Sequence, residues 1–206
     1  MTRKSYVVYG GGGHGRVLIS SLIEMGASVT GFVDQEPKEN IFDVPWIGHE
    51  ITPDISADNI LILGVGGVMS NSQRDSIFNE WAEKKYDIGA VIHPSAIISP
   101  TATLGTGIQV LAGAVIQAGA TIGNNVLINT RAVIEHDCLL EQSAVVSPSA
   151  CLCGNVTIRQ NAYIGAGATI IQKNEVGRDA TVAAGAVVIN NVSENSKVAG
   201  VPAQPI

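Results

Sequence analysis

A histidine between two carboxylates, Glu135-His136-Asp137, is the part of this sequence best suited to acid–base chemistry. A carboxylate that holds one ring nitrogen of a histidine leaves the other nitrogen free to take a proton. His136 can therefore act as a general base oriented by a flanking carboxylate. A solvated histidine on an acidic turn explains these three residues equally well, so the choice depends on what surrounds the imidazole.

A second candidate site is the glycine cluster Gly10-Gly11-Gly12-Gly13-His14-Gly15. It contains Gly-x-Gly-x-x-Gly between a predicted strand, Ser5–Tyr9, and a predicted helix from Arg16 to about Met25. Backbone N–H groups at such a helix start can hold a phosphate. A second predicted strand, Val29–Val33, ends in Asp34, where an acid binds a ribose or a base. A third strand is predicted at Asn59–Leu63. The alternative is a turn needed only for tight packing, with Asp34 a solvated strand end.

The elements that must position His136 follow from a six-residue repeat. Every sixth residue from Ile92 to Val188 is Ile, Leu or Val, at seventeen consecutive positions, and the residue two places earlier is mostly Ala. This period fits neither a helix nor simple alternating strands. It predicts a short strand plus a corner on three faces of a triangular coil, in five to six coils and a prism about 27 Å long.

Each coil takes eighteen residues, so residues eighteen apart stack on the same corner. The residue stacked on His136 is Gly154, which leaves a groove beside the imidazole, and Asn129 stacks on Ser147 as another polar corner. Only His93 and His136 lie in the repeat, which disfavours a His₃ zinc site and a carbonic-anhydrase-like enzyme.

The three cysteines offer weaker alternatives. Cys138 could form a covalent acyl-enzyme, but it occupies a small inward position of the repeat, so a core role is expected. Cys151 and Cys153 form Cys-x-Cys without a second pair, which is too little for zinc. No metal is expected.

Composition divides the chain in the same way as the repeat. Of nine aromatic residues, eight precede residue 90 and only Tyr163, expected to face outward, follows it. This predicts a small α/β domain, residues 1–90, and a β-helix domain, residues 91–206. Ninety residues are too few for a full dinucleotide domain, so an NAD dehydrogenase is unlikely. A net charge of −6 without a basic run argues against nucleic acid and anionic membrane as partners.

Neither a membrane helix nor a secretory signal is expected, the latter from the residues at Met1–Ser5, so a cytoplasmic protein is predicted.

The motifs together resemble one bacterial family. They are the GGGGHGR segment, Ile128-Asn129-Thr130, Glu135-His136-Asp137-Cys138, Ile164-Gly165-Ala166-Gly167-Ala168 and the terminal Gly200-Val201-Pro202-Ala203. In this order they are similar to the nucleotide-aminosugar N-acetyltransferases and the related sialic acid O-acetyltransferases, over essentially the whole chain. The resemblance implies a Rossmann-like α/β unit before a left-handed parallel β-helix. It also implies acetyl-CoA as donor, a nucleotide-linked 4-amino sugar as acceptor, and a homotrimer with active sites between neighbouring prisms.

The resemblance also implies roles for individual residues. His136 matches the catalytic base and Asp137 the acid that polarises it, while Asn129 matches an active-site asparagine. The substrate would be bound by the loop Gly10, Gly11, Gly12, Gly13 and His14, by Asp34, and by Arg74, whose role the resemblance does not define. The pantetheine channel would be lined by Gly154, Ala166 and Ala184.

Two positions depart from the family pattern. Many members carry a second histidine nine residues after the base, near the acetyl carbonyl, where this chain has Val145. Oxyanion stabilisation would then come from a backbone N–H, for example around Gly154, or from another group. Gln204 replaces the usual basic residue after Gly-x-Pro-Ala, which weakens a contact with a CoA phosphate.

Other functions stay open at this point. A sialic acid or other sugar O-acetyltransferase is the nearest alternative. A non-catalytic nucleotide-sugar-binding trimer and a purely structural β-helix are alternatives of another class, although the first makes no use of Glu135-His136-Asp137 and the second needs no glycine loop. The residues do not identify the nucleotide base or the sugar carbon that bears the amine.

Overall fold

The computed structural model describes residues 5–67 and 72–206. Residues 1–4, on which the expectation about a secretory signal partly rests, lie outside the described residues, as do residues 68–71. Among the residues described, no helix is both long enough and apolar enough to cross a membrane.

The first part of the chain is an α/β unit. Its parallel sheet has the strand order β3-β2-β1-β4. The elements are β1 (Ser5–Tyr9), α1 (Gly13–Glu24), β2 (Val29–Val33), β3 (Trp46–Gly48), α2 (Pro53–Asp58), β4 (Asn59–Leu63) and α3 (Ser72–Glu83). The predicted strands at Ser5–Tyr9, Val29–Val33 and Asn59–Leu63 are confirmed, whereas β3 and α2 had no sequence prediction. The helix predicted from Arg16 begins three residues earlier, at Gly13.

From Val91 onward the chain forms a triangular parallel β-helix with three faces. Face 1 contains β5 (Val91–Ile92), β8 (Gln109–Val110), β11 (Leu127–Ile128), β14 (Val145–Val146), β17 (Tyr163–Ile164), β20 (Thr181–Val182), β22 (Lys197–Ala199) and the antiparallel β23 (Gln204–Pro205). Face 2 contains β6 (Ile97–Ile98), β9 (Val115–Ile116), β12 (Val133–Ile134), β15 (Cys151–Leu152), β18 (Thr169–Ile170) and β21 (Val187–Val188). Face 3 contains β7 (Thr103–Leu104), β10 (Thr121–Ile122), β13 (Leu139–Leu140), β16 (Thr157–Ile158) and β19 (Glu175–Val176).

The core of the β-helix has the composition that the hexads predict. From β5 to β21, strand partners are eighteen residues apart, as in Ile134 with Leu152, so each aliphatic side chain stacks on the one a coil earlier. The aliphatic and small positions form one buried cluster from Ile108 to Val198, and Cys138 is part of it. No aromatic residue belongs to its buried core, because the prism is too narrow for a ring.

The glycines that directly follow inward aliphatic residues are required for close packing between coils and not for a turn of the backbone. Gly123 and Gly165 do not have positive φ; instead, a Cβ would lie 2.9 Å from the Leu140 oxygen at Gly123 and 2.5 Å from the Ala184 nitrogen at Gly165. These glycines allow the next coil to approach closely. The left-handed backbone lies two residues later, at positions such as Asn125 and Asp137, with φ of 56° and 58°.

The three faces have different surroundings. The α/β unit covers face 1, because Val91, Leu127 and Val145 share one buried cluster with α1 and the central sheet. Tyr163 projects from face 1, as predicted, and packs against that cluster. The outward side chains of face 2 are mostly apolar and lie partly or fully exposed, and those of face 3 are mostly threonine.

Candidate active site

His136 and Asp137 form a hydrogen-bonded pair on the corner between faces 2 and 3. The Nδ1 atom of His136 lies 2.8 Å from Oδ2 of Asp137, and both side chains are more than half exposed. A carboxylate accepts only, so the neutral ring donates from Nδ1 and leaves the lone pair of Nε2 free. This is the arrangement of an oriented base.

Two glycines in adjacent coils make room for this pair. A Cβ on Gly154, one coil after His136, would lie 2.4 Å from the Nε2 atom of His136. A Cβ on Gly119, one coil before Asp137, would lie 2.5 Å from its Oδ1 atom. The imidazole therefore lies directly over the Gly154 backbone and occupies the space that a side chain at residue 154 would fill, rather than bordering an empty groove.

Asn129, Ala166 and Ala184 lie on a different corner, between faces 1 and 2. The Oδ1 atom of Asn129 accepts a hydrogen bond from the Thr130 N–H at 2.8 Å. Ala166 and Ala184 are exposed and stack in consecutive coils, where the Gly185 N–H donates to the Ala166 oxygen at 2.8 Å. Within one chain, these three residues are thus separated from His136 and Gly154 by the width of face 2.

The glycine loop joins β1 to α1 at the carboxyl end of the parallel sheet. A Cβ on Gly15 would lie 1.8 Å from the Gly10 oxygen, so this position requires glycine. Around Gly12 and Gly13, by contrast, nothing lies within 4 Å of such a Cβ. These two residues therefore face open space at the N-terminus of α1, where backbone N–H groups can receive an anion.

Asp34 is part of the same edge of the sheet. Its Oδ2 atom accepts the Gly11 N–H at 2.7 Å, and its Oδ1 atom lies 3.6 Å from the Lys38 ammonium group. Tyr9, Gly10, Asp34 and Gln35, together with residues following β4, line a cavity of about 150 Å³. Asp34 thus holds the glycine loop through its hydrogen bond with Gly11, and it also lines the cleft that the sequence predicts as a nucleotide site.

The His14 side chain is hydrogen-bonded to the β-helix. Its Nε2 atom lies 2.7 Å from Oε1 of Gln109 on face 1, and the Nε2 atom of Gln109 donates to the Leu63 carbonyl at 2.7 Å. Burial, together with the nearby charge of Arg74, lowers the pKa of His14 to about 4. His14 is therefore neutral at physiological pH and is unsuited to pair with a phosphate as a cation.

Arg74 does not have the open position that a substrate contact needs. Its side chain is 1% exposed, and its guanidinium donates to the carbonyls of Leu63 and Val65, at 3.2 and 2.9 Å, and to that of Asn125, at 3.4 Å. Burial lowers the pKa of Arg74 to about 9. The predicted substrate-binding role is therefore revised: Arg74 links β4 and α3 to the β-helix.

This role predicts a loss of stability for Arg74→Met. The substitution leaves the carbonyls of Val65 and Asn125 without this donor, whereas the Leu63 carbonyl keeps its hydrogen bond from Gln109. Each buried polar group left without a partner costs about 1–3 kcal/mol. We expect the free energy of unfolding to fall by about 2–4 kcal/mol, measured by urea unfolding followed by circular dichroism. The matched control is Arg16→Met: Arg16 lies over the Phe42 ring, 5.3 Å from its centre, so we expect a change below about 1 kcal/mol. Equal losses in the two variants would contradict the role assigned to Arg74.

The cysteines do not form a nucleophilic centre. Cys138 is 1% exposed, its thiol donates to the Cys153 carbonyl, and burial raises the pKa of Cys138 to about 11. Such a thiol supplies little thiolate at neutral pH. Across residues 5–67 and 72–206, no group of three or more His, Cys, Asp or Glu side chains is placed to hold a metal ion.

Val145, where many family members have a second histidine, is 1% exposed and packs on face 1 beneath the α/β unit. No functional role was predicted for Gln109, because its position in the repeat indicates only that its side chain points outward from the prism. The available signal was a polar residue between Val91 and Leu127, in an outward column that is otherwise apolar from Val91 to Tyr163.

Comparison with known proteins identifies the family to which this chain belongs. The family model for the PglD N-terminal domain matches residues 6–81. The structure of a GDP-perosamine N-acetyltransferase from Caulobacter crescentus, a histidine-to-alanine mutant in complex with CoA and GDP-perosamine, is 32% identical, with a TM-score of 0.91. The match covers 98% of this chain and 96% of that one. The chain belongs to the hexapeptide-repeat family of bacterial nucleotide-sugar N-acetyltransferases.

A second member of this family is the acetyltransferase domain of PglB from Neisseria gonorrhoeae in complex with acetyl coenzyme A. It is 33% identical, with a TM-score of 0.91, and the match covers 99% of this chain and all of that one. WeeI from Acinetobacter baumannii, at 20% identity, shares the fold over 98% of this chain and 99% of its own, with a TM-score of 0.82. None of the curated proteins matches. Membership of the family confirms the Rossmann-like unit followed by a left-handed β-helix.

Proposed function

We propose that this protein transfers the acetyl group of acetyl-CoA to the amine of a nucleotide-linked amino sugar. The observation that carries the proposal is the His136–Asp137 pair over Gly154, in which an imidazole more than half exposed keeps its Nε2 atom without a hydrogen-bond partner among the described residues. The Caulobacter and Neisseria relatives, crystallised with CoA and GDP-perosamine or with acetyl coenzyme A, support the same donor and acceptor class. A cytoplasmic location, where acetyl-CoA is available, fits this reaction.

In the proposed reaction the neutral amine attacks the carbonyl carbon of the thioester, and the C–S bond breaks as the tetrahedral intermediate collapses. His136 takes the proton from the attacking nitrogen at Nε2, while Asp137 holds Nδ1–H and stabilises the imidazolium. The sulfur leaves as CoA thiolate. The Gly154 N–H has no hydrogen-bond partner among the described residues, so it is free to donate to the oxyanion.

Residues 1–90 are proposed as the domain that binds the nucleotide part, and residues 91–206 as the acetyltransferase domain. The open N-terminus of α1 at Gly12 and Gly13 suits the phosphates, and the cleft beside Asp34 suits the ribose or base. Fixing the nucleotide on one domain and the thioester on the other brings amine and acetyl group together, which supplies much of the acceleration.

We further propose that the active protein is a homotrimer closed through face 2. The central outward side chains of this face, Val115, Val133 and Cys151, are apolar and only partly buried. The α/β unit covers face 1, and face 3 exposes mainly threonines, so face 2 is the apolar surface left for self-association.

A trimer of this kind would also complete the site. If each prism turns face 2 toward a threefold axis, the corner between faces 1 and 2 of one copy meets the corner between faces 2 and 3 of the next. Asn129, Ala166 and Ala184 of one subunit would then lie beside His136 and Gly154 of its neighbour. All the residues expected to act on acetyl-CoA and the amine would then share one cleft, whereas within a single chain they lie on two separate corners.

Val133→Glu tests this assembly. A carboxylate in the middle of face 2 cannot be desolvated at low cost, so we expect monomers in size-exclusion chromatography with light scattering, and loss of most acetyltransferase activity. The matched control is Leu139→Glu, six residues later at the same hexad position on face 3, which we expect to stay trimeric and active. A trimeric, active Val133→Glu protein would contradict the assembly.

The reaction itself is tested by thiol release from acetyl-CoA with a panel of guanosine, uridine and thymidine diphosphate 4-amino sugars. We expect release with at least one amino sugar and none with the same nucleotide linked to the corresponding hydroxyl sugar. Release with free sialic acid instead would favour an O-acetyltransferase. Release with none of these acceptors, with nucleotide sugar still bound, would favour a non-catalytic binding protein.

A further inference from the structure

The side chain of Gln109 has only one hydrogen-bonding orientation in this fold. It is 1% exposed on face 1, and its amide bridges the Leu63 carbonyl, at 2.7 Å, and the His14 ring, also at 2.7 Å. A carbonyl oxygen accepts only, so the NH₂ group of Gln109 must face Leu63. Its Oε1 atom therefore faces His14.

This orientation decides where the proton of His14 lies. Because Oε1 of Gln109 can only accept, the Nε2 atom of His14 must carry the hydrogen. The ring is neutral near pH 7, since burial and the charge of Arg74 disfavour the imidazolium. A neutral ring has one proton, so Nδ1 is left as a bare acceptor, and it makes no hydrogen bond with any described residue.

The orientation of Gln109 is itself held from two sides. The Leu63 carbonyl that receives its NH₂ group also accepts from the Arg74 guanidinium at 3.2 Å. Leu63 ends β4, and Gln109 begins β8. The junction of the α/β unit with the β-helix thus positions the ring of His14, which stands in the first turn of α1 beside the open backbone of Gly12 and Gly13.

We propose that Gln109 is a positioning residue that fixes His14 in its Nε2–H form, so that His14 presents Nδ1 to the acceptor and receives a hydrogen bond from a hydroxyl or amine of its sugar. An ionised phosphate has no hydrogen to donate, so it is not the partner of Nδ1. Different parts of the glycine loop therefore bind different parts of the acceptor. The backbone of Gly12 and Gly13 binds the phosphates, and His14 binds the sugar. This inference rests on the proposed function for the identity of the acceptor.

The tautomer can be tested without any substrate. The chain has four histidines, so ring-¹⁵N labelling with one His14→Gln variant for assignment identifies the His14 signals by NMR. We expect one neutral form protonated at Nε2 from pH 6 to 8 in the wild type, and a mixture of both tautomers in Gln109→Met. A proton on Nδ1 or an imidazolium at pH 7 in the wild type would overturn the inference.

The consequence for substrate is tested with GDP and GDP-perosamine, or with the nucleotide that the acceptor panel selects. We expect Gln109→Met to raise KM for the amino sugar nucleotide about tenfold while KM for acetyl-CoA stays unchanged. Affinity for the free nucleoside diphosphate, measured by calorimetry, should also stay unchanged. An equal loss of affinity for the free diphosphate would overturn the assignment of His14 to the sugar. If no amino sugar is acetylated, the proposed function fails, while the NMR result still decides the tautomer.

Discussion

His136→Ala should lower kcat for acetyl transfer by about 10²-fold or more, with KM for both substrates nearly unchanged. The imidazole is more than half exposed and no part of the core rests on it, so its removal leaves the fold intact. What is lost is the Nε2 lone pair that accepts the proton of the attacking amine. Steady-state kinetics with acetyl-CoA and the selected amino sugar nucleotide measure the effect.

The matched variant is Asp137→Asn, which keeps the size of the side chain but removes the charge that stabilises the imidazolium. We expect it to lower kcat by less than His136→Ala does, again with little change in KM. Turnover near that of the wild type in His136→Ala would remove His136 from the role of base. A parallel rise in both KM values would instead assign it to binding.

Gly154→Ala is expected to lower kcat to a similar degree without touching a catalytic side chain. The new Cβ would lie 2.4 Å from Nε2 and 2.6 Å from Cε1 of His136, so the imidazole must move off the corner. Gly154 does not have positive φ, and the contact is with a side chain rather than with backbone. We therefore expect Tm to stay within a few degrees of the wild type while kcat falls.

A double variant separates this mechanism from general damage. In His136→Ala the ring is absent, so Gly154→Ala should cause little further loss of kcat, and the two effects should be far from additive. Additive losses would mean that Gly154 acts independently of His136, for instance only through its N–H. A large fall in Tm for Gly154→Ala alone would mean that the alanine disturbs the coil itself.

The β-helix and its catalytic corner were predictable because the signal is local and repeated. Each hexad sets its own strand and corner, and strands pair with partners eighteen residues away. The eighteen-residue spacing alone therefore predicts that Gly154 stacks on His136. The stacking of Gly119 on Asp137 follows from the same eighteen-residue spacing, although no role was predicted for Gly119.

The junction between the two parts of the chain was not predictable in the same way. Arg74 contacts Asn125, and Gln109 contacts Leu63 and His14, across separations of 46 to 95 residues. No period or motif links such residues, because their contacts depend on how the α/β unit sits on face 1. The family resemblance implied that Arg74 contacts substrate, whereas the structure buries it where the α/β unit meets the β-helix.

The regular coil restricts how chains of this architecture can change in length. Inserting one hexad between Gln109 and Asn129 would carry His136 to another face, a third of a turn away from its partner corner. Inserting a whole coil of eighteen residues would keep the face and move His136 along the axis by about 4.8 Å, the spacing of neighbouring strands. The distance between the cleft beside Asp34 and the base is thus set in discrete steps, so that enzymes built on this plan should accommodate longer or shorter acceptors by gaining or losing entire coils.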